Sequence, residues 1–297
     1  TALAEQYRLA AAPFRRRYQP EVHVVGNTER QVQRLLGGAG AWGRLTEIAR
    51  AIAHDATVIE ASIADLPQAL AQQAQDLLKS ARGTADLLQA LHAALEAGNF
   101  DGAHQLLGAH PPEPIRFRTI LSRLRSVRSP AALRSTNLVA DLYSAALERQ
   151  RLEKAISLGA VAILAGAGQG KSELAVRLTQ PDGDFPGGVL LLGKNLHTRQ
   201  GLDELVGACK IAGQPPGSFE RLAEAVDAAG QRAGRRLPIV IDGLNEAEDP
   251  RVWRDELARA QELLQAFPYV LLVVTLRDEF APMCLPEDLP AMQHKGF

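Results

Sequence analysis

The chain has 297 residues, 46% hydrophobic and 23% charged, with a formal net charge of −1. That balance excludes a collagen-like, silk-like or wholly disordered chain, and the length suits roughly two domains. Residues 1–150 carry 17 Lys and Arg against 14 Asp and Glu, and residues 151–297 carry 16 against 20, so neither half has the positive excess of a dedicated nucleic-acid binder.

Cys209 and Cys284 are too few for a disulfide framework, and no CxxC pair offers a zinc site. A reducing, cytoplasmic setting is the expectation. No apolar run approaches the ~20 residues of a membrane span, and there is no signal peptide. Neither a membrane nor a nucleic acid is therefore expected as a partner. The sequence opens at Thr1 without a methionine and stops at Phe297, which reads as a piece cut from a longer protein.

In chain order, residues 1–27 read as a leading segment or linker and residues 28–157 as an all-helical region. Leu66, Leu70, Leu77 and Leu78, then Leu87, Leu88, Leu91 and Leu95, recur at helical spacing. Asn27 or Thr28, Ser62, Thr84 and Ser129 stand where N-caps belong, with Pro130 at a first helical position. Gly37-Gly38, Gly83 and Gly98 supply stops. Residues 94–107 (ALEAGNFDGAHQLL) resemble a tetratricopeptide turn, but no second copy follows at the repeat period, so a plain helical hairpin is expected. Pro111, Pro112 and Pro114 mark a break.

From residue 158 to 297 short apolar runs alternate with amphipathic segments. Strands are expected at 161–165, 189–192, 239–241 and 270–275, and helices at 171–178, 202–211, 219–233 and 251–266, the last opened by Asp249-Pro250. Continuous apolar strands between helices predict a parallel sheet covered on both faces. The fold class is thus α/β, a parallel sheet flanked by helices with four recognised strands, preceded by an all-α region.

The strongest chemical signal is VAILAGAGQGKSELA at residues 161–175. An apolar strand runs into a glycine-rich turn, and Lys171-Ser172 opens a helix. This matches G-x-x-x-x-G-K-[ST], with Ala165 in the first position. Residues Ala165, Gly166, Ala167, Gly168, Gln169 and Gly170 would wrap a polyphosphate with backbone N–H groups. Lys171 would meet its outer phosphates, Ser172 would ligate Mg²⁺, and Glu173 lies in the helix turn aimed at the phosphates.

Seventy-one residues after Lys171, LPIVIDGLNEA ends a strand in Asp242, which suits a Mg²⁺-holding carboxylate. In a parallel sheet the C-terminal strand ends share the edge where the glycine loop lies. Glu246 is placed to orient or deprotonate a water, the alternative being a solvated loop charge. Next, LLVVTLRDE (271–279) carries Arg277 off a strand end toward the same edge. It could sense a terminal phosphate, or simply pair with Asp278 or Glu279.

AGAGQGKS followed by IVIDGLNEA and TLRDE resembles the STAND class of signalling NTPases, particularly its NACHT-like branch. Asp242, Gly243, Leu244 and Glu246 match that branch's extended Walker B pattern, while Asn245 departs from its usual Asp. FPGGVLLL at 185–192 is similar to the second-strand region of bacterial members, and Arg17-Tyr18-Gln19-Pro20-Glu21 resembles a short segment of bacterial antiviral members. The resemblance implies ATP or ADP with Mg²⁺ as cofactors, slow hydrolysis by Glu246 and Arg277, and homo-oligomer formation on activation. It also implies a role in anti-phage defence, with a trigger protein, such as a phage protein, bound through a region absent from this chain. The residues alone specify a polyphosphate and leave the base open.

Three functions fit. One is an ATP-dependent switch with nucleotide bound between the sheet edge and the helical region. The others are an AAA+-like motor with steady turnover and a non-hydrolysing, nucleotide-stabilised scaffold. No effector motif of the HExxH, nucleophile-elbow or nuclease type occurs.

Overall fold

The computed structural model describes residues 2–14, 26–37, 41–65, 67–109, 130–183, 185–197, 201–207, 209–211 and 213–294. The 17–21 motif, the prolines at 111, 112 and 114, Ser129, Gly38 and Leu66 lie outside these residues, as does the side chain of Leu70. Contacts divide the chain into two compact units, Thr1–Gly38 with Ser157–Phe297, and Ala39–Ile156. The helical region expected from residue 28 is thus grouped by contact from residue 39.

In chain order the helices are α1 (Ala2–Ala10), α2 (Asn27–Leu35), α3 (Gly43–Ala61), α4 (Gln68–Glu96), α5 (Phe100–Ala109), α6 (Pro130–Ser157), α7 (Lys171–Thr179), α8 (Leu202–Gly207), α9 (Phe219–Ala233), α10 (Val252–Leu264) and α11 (Ala281–Cys284). The strands are β1 (Ala160–Leu164), β2 (Val189–Leu192), β3 (Leu237–Asp242), β4 (Val270–Leu276) and β5 (Ala291–Gln293). No helix among the described residues is long and apolar enough to cross a membrane.

The helical unit packs α3 against α4 and α4 against α5. Ile48, Ile52, Ala56 and Ile59 of α3 and Leu77, Ala81, Leu88, Leu91 and Leu95 of α4 form its aliphatic interior. Gly83 and Thr84 do not break the chain as expected. α4 runs through both, and the Thr84 hydroxyl donates to the Ser80 carbonyl at 3.0 Å. A single glycine costs only ~1 kcal/mol in a helix, which the buried leucines on either side outweigh. Ser62 caps the C-terminal end of α3, its hydroxyl bonded to the Val58 carbonyl, and a single 3-10 turn, Ile63–Asp65, follows it. The hairpin at 94–107 forms as expected: Gly98 turns at φ 68°, and the Asn99 carboxamide accepts from the Gly102 N–H at 2.8 Å.

The other unit is a mixed α/β structure around a five-stranded, wholly parallel sheet ordered β2-β3-β4-β1-β5. Every residue of β3 and β4 is buried, as continuous apolar strands covered on both faces require. α9 shows why its sequence folds locally. The Ser218 hydroxyl accepts from the Arg221 N–H, Phe219, Leu222, Ala223, Val226 and Gly230 make one buried face, and Gly234 ends it at φ 62°. α8 stops at Gly207, short of the expected Ile211, which instead forms an isolated bridge with Gln214.

Three elements lie outside the sequence expectations: the short helix α11, α1 and β5. The segment expected to be a linker contains α1, which lies on β2. There the Gln6 carboxamide pairs like a strand neighbour, donating to the Leu190 carbonyl at 2.9 Å and accepting its N–H at 3.3 Å. The fifth strand, β5, extends the sheet beyond β1. Its three residues, AMQ, are largely exposed and carry no apolar run to betray it. Cys209 and Cys284 are buried thiols, both pushed up to about 11 by burial.

Candidate functional site

The register lines up the C-terminal ends of the strands. Leu192 faces Asp242, Ile241 faces Val274, and Leu164 faces both Leu276 and Gln293. The turns leaving β1, β3 and β4 therefore meet at one edge. A cavity of about 330 Å³ opens there, lined by residues 167–173 together with Phe14, Asp242, Gly243, Asn245, Glu246 and Arg277. All of these belong to the sheet unit.

The loop from Ala165 to Gly170 turns tightly because two glycines take left-handed backbone, Gly168 at φ 73° and Gly170 at φ 81°. Gly170 is also the N-cap of α7. Inside the loop the Gly166 N–H donates to Gln169 Oε1 at 2.7 Å, and Lys171 Nζ donates to the carbonyls of Ala165 (2.8 Å) and Gly166 (2.6 Å). The ammonium is thereby held over the loop at the head of α7. Burial, and then the like charge of Arg277, hold Lys171 below its ordinary pKa, while Asp242, Asp278 and Glu246 work the other way. Ser172 and Glu173 lie in the first turn of α7 and line the cavity.

Asp242 ends β3, and its carboxylate is buried. Thr275 on β4 donates its hydroxyl proton to Asp242 Oδ1 at 2.6 Å and accepts the Gly243 N–H at 3.0 Å. Because the backbone donor fills the hydroxyl's acceptor side, the proton points at the carboxylate and fixes its rotamer. Oδ1 is engaged, and Oδ2 is the oxygen left for a cation. The chain then turns through Gly243 at φ 76°, where a Cβ would lie 3.0 Å from Glu246 Cδ. Trp253, wholly buried, donates from Nε1 to the Leu244 carbonyl and anchors this turn.

Glu246 is exposed on the cavity rim. Asn245 has a different task, since its Oδ1 accepts the Arg277 backbone N–H at 3.1 Å and ties the β3 turn to the β4 turn. The Arg277 side chain is 44% exposed, with Nη1 3.8 Å from Glu279 Oε1. So loose a surface pair leaves the guanidinium free to turn toward the cavity it lines.

Residues 167–173, Asp242, Glu246 and Arg277 are thus brought together, and Ala165 sits buried just behind the loop. Three participants escape sequence reading. Thr275 carries a signal that could have been used, a hydroxyl residue near the end of an otherwise apolar strand beside the Asp242 strand. Phe14, from the turn after α1, and His294, just after β5, come from elements with no motif around them.

Among the described residues no group of three or more His, Cys, Asp and Glu is arranged to hold a metal. A Mg²⁺ site completed by phosphate oxygens and water needs only one or two protein ligands. The hydroxyl of Ser172 and the oriented Asp242 carboxylate fit that donor set, with Lys171 beside them for the phosphates. No family model, curated protein or solved structure matches the chain.

Proposed function

We propose that this chain is the nucleotide-binding module of an ATP-dependent signalling switch, a P-loop NTPase of the STAND type. One observation carries the reading. A glycine loop with its lysine, a buried strand-end aspartate, a rim glutamate and an arginine line one cavity at the C-terminal edge of a parallel sheet. Polyphosphates bind where backbone N–H groups and a helix N-terminus converge, which is what residues 165–172 offer.

When bound, ATP with Mg²⁺ supplies an electrophilic terminal phosphoryl group and the cation that offsets its charge. The loop amides and Lys171 would bind the phosphates, the Lys171 ammonium being held at the head of α7 on the Ala165 and Gly166 carbonyls. Ser172 and Asp242 hold the cation, and Thr275 keeps Asp242 aimed. Glu246 takes a proton from water at its carboxylate, and Arg277 offsets charge on the phosphate. Asn245 keeps the two catalytic turns together and offers no second base, which favours slow turnover over a motor. In the switch, bound ATP promotes self-association. The resemblance to bacterial antiviral STAND proteins points to a cytoplasmic defence role with a protein trigger.

The chain's phosphate release and its size by sedimentation, each with MgATP and with MgADP, test this. The switch predicts slow release and an ATP-dependent increase in size. Fast constitutive release at constant size would mean a motor, and neither release nor a size change would mean a scaffold.

A further inference from the structure

A histidine from a remote element backs the glycine loop. His294 follows β5, and its backbone N–H donates to the Leu164 carbonyl at 2.7 Å, at the point where β1 gives way to the loop. The residue is only 6% exposed. The ring faces the loop: its Nε2 lies 3.8 Å from where a Cβ on Gly170 would stand, and, against the lowering by burial, the Gln169 backbone pulls its pKa upward. That Nε2 is buried without a hydrogen-bond partner. Buried polar atoms are rarely left unpaired, so one that is calls for an explanation.

We propose that His294 is a positioning residue for nucleotide binding, setting the Gln169–Gly170 backbone in the conformation that receives a polyphosphate. The inference rests on the nucleotide reading above and extends it to the sheet's far edge. Gln169 and Gly170 are the last two residues before Lys171, so their peptide planes decide where the loop amides and the head of α7 point. Gly170 brings no side chain to fix that position, and as a glycine at φ 81° it has a wide conformational range. A rigid ring behind it narrows that range. The His294 segment is itself held from three sides: by the Leu164 bond behind, by the loop in front, and by α2, where the Thr28 hydroxyl bonds the Gln293 carbonyl at 3.3 Å. The charged groups around the ring are Lys171 and Glu173 of α7 and Glu29 of α2, the last also paired with Arg177 at 3.5 Å.

The test titrates MgATP and MgADP into the full chain by calorimetry for the wild type and for His294→Ala, His294→Asn, His294→Phe and Lys171→Ala. His294→Ala should weaken both nucleotides about tenfold, the scale of one lost hydrogen bond. Asn, which keeps a hydrogen-bonding side chain there, should recover most of that, whereas Phe, which restores only volume, should not. In the wild-type chain the His294 imidazole resonances should also shift on addition of MgADP, a reading independent of whether any variant folds. Wild-type affinity in folded His294→Ala, rescue by Phe equal to rescue by Asn, or unmoved His294 resonances would overturn the inference while Lys171→Ala still loses binding. If Lys171→Ala binds normally, the nucleotide reading itself is what fails.

Discussion

The two units bury polar groups in different ways. In the helical unit the interior is aliphatic, and its buried Asp55 stands near Asp141, whose carboxyl is pushed up first by burial and then by that neighbouring charge. In the sheet unit Asp242, Thr275, His294, Thr28 and Glu29 are buried in the turns, strand ends and helix starts at the rim of the sheet. Two of them have defined tasks: Thr275 aims Asp242, and Thr28 steadies β5. The contrast teaches that desolvated polar groups are costly where they only pack, and informative where one of them, Asp242, lines a cavity and the others support its surroundings.

The sharpest way to break this contrast is at Glu246. If it activates water, Glu246→Gln should slow phosphate release by about 10²–10⁴ while ATP affinity is kept, because the amide preserves size and loses only the charge. A single-turnover assay with a parallel binding titration checks this. A normal rate would make Glu246 a loop charge and leave Arg277 and a positioned water as the catalytic candidates.

Stability should divide between core and surface. Leu272→Ala empties a site of zero exposure in the central strand β4 and should cost about 2–5 kcal/mol in denaturant unfolding. Leu147, 57% exposed on α6, serves as the control and should change stability by less than ~0.5 kcal/mol when replaced by Ala. Asp242→Ala should remove most of the Mg²⁺ enhancement of ATP binding, measured by titrations with and without the cation. Full retention of the enhancement would make Asp242 a strand-end cap.

The smallest expected effect at the site is on pH. Burial, and with it the Lys171 charge, holds His294 below its ordinary pKa of 6.5, against the opposing pull of the Gln169 backbone, Glu173 and Glu29. The unfolded chain then binds more protons than the folded one just below that value, so stability falls as pH drops below about 6.5. His294→Asn should flatten that part of the stability profile in unfolding melts between about pH 7.5 and 5.5.

The sheet unit is legible because its main strands are continuous apolar runs, each ending in a chemically distinctive turn. Helix α9 is legible to the residue because Ser218 and Gly234 cap it and its apolar spacing is regular. The pieces that escape are held by contacts distant in sequence. α1 is fastened to β2 through one glutamine amide, and β5 owes its place to pairing with β1. Gly83-Thr84 misleads because local breaker signals lose to the packing of α4. At the site, the loop and its two partner turns can be read from spacing. Phe14 and the His294 ring cannot, since two remote elements bring them there, and the Thr275 hydroxyl leaves only the signal of a polar residue near the end of an apolar strand.

The most direct test of the central claim is calorimetric titration of MgATP into the wild-type chain and into Lys171→Ala, with melts to show that both are folded. The account predicts saturable binding by the wild type and a loss of about 10–150-fold in the variant, the equivalent of ~1.5–3 kcal/mol for a hydrogen bond to a charged group. Unchanged affinity in a folded Lys171→Ala would contradict it.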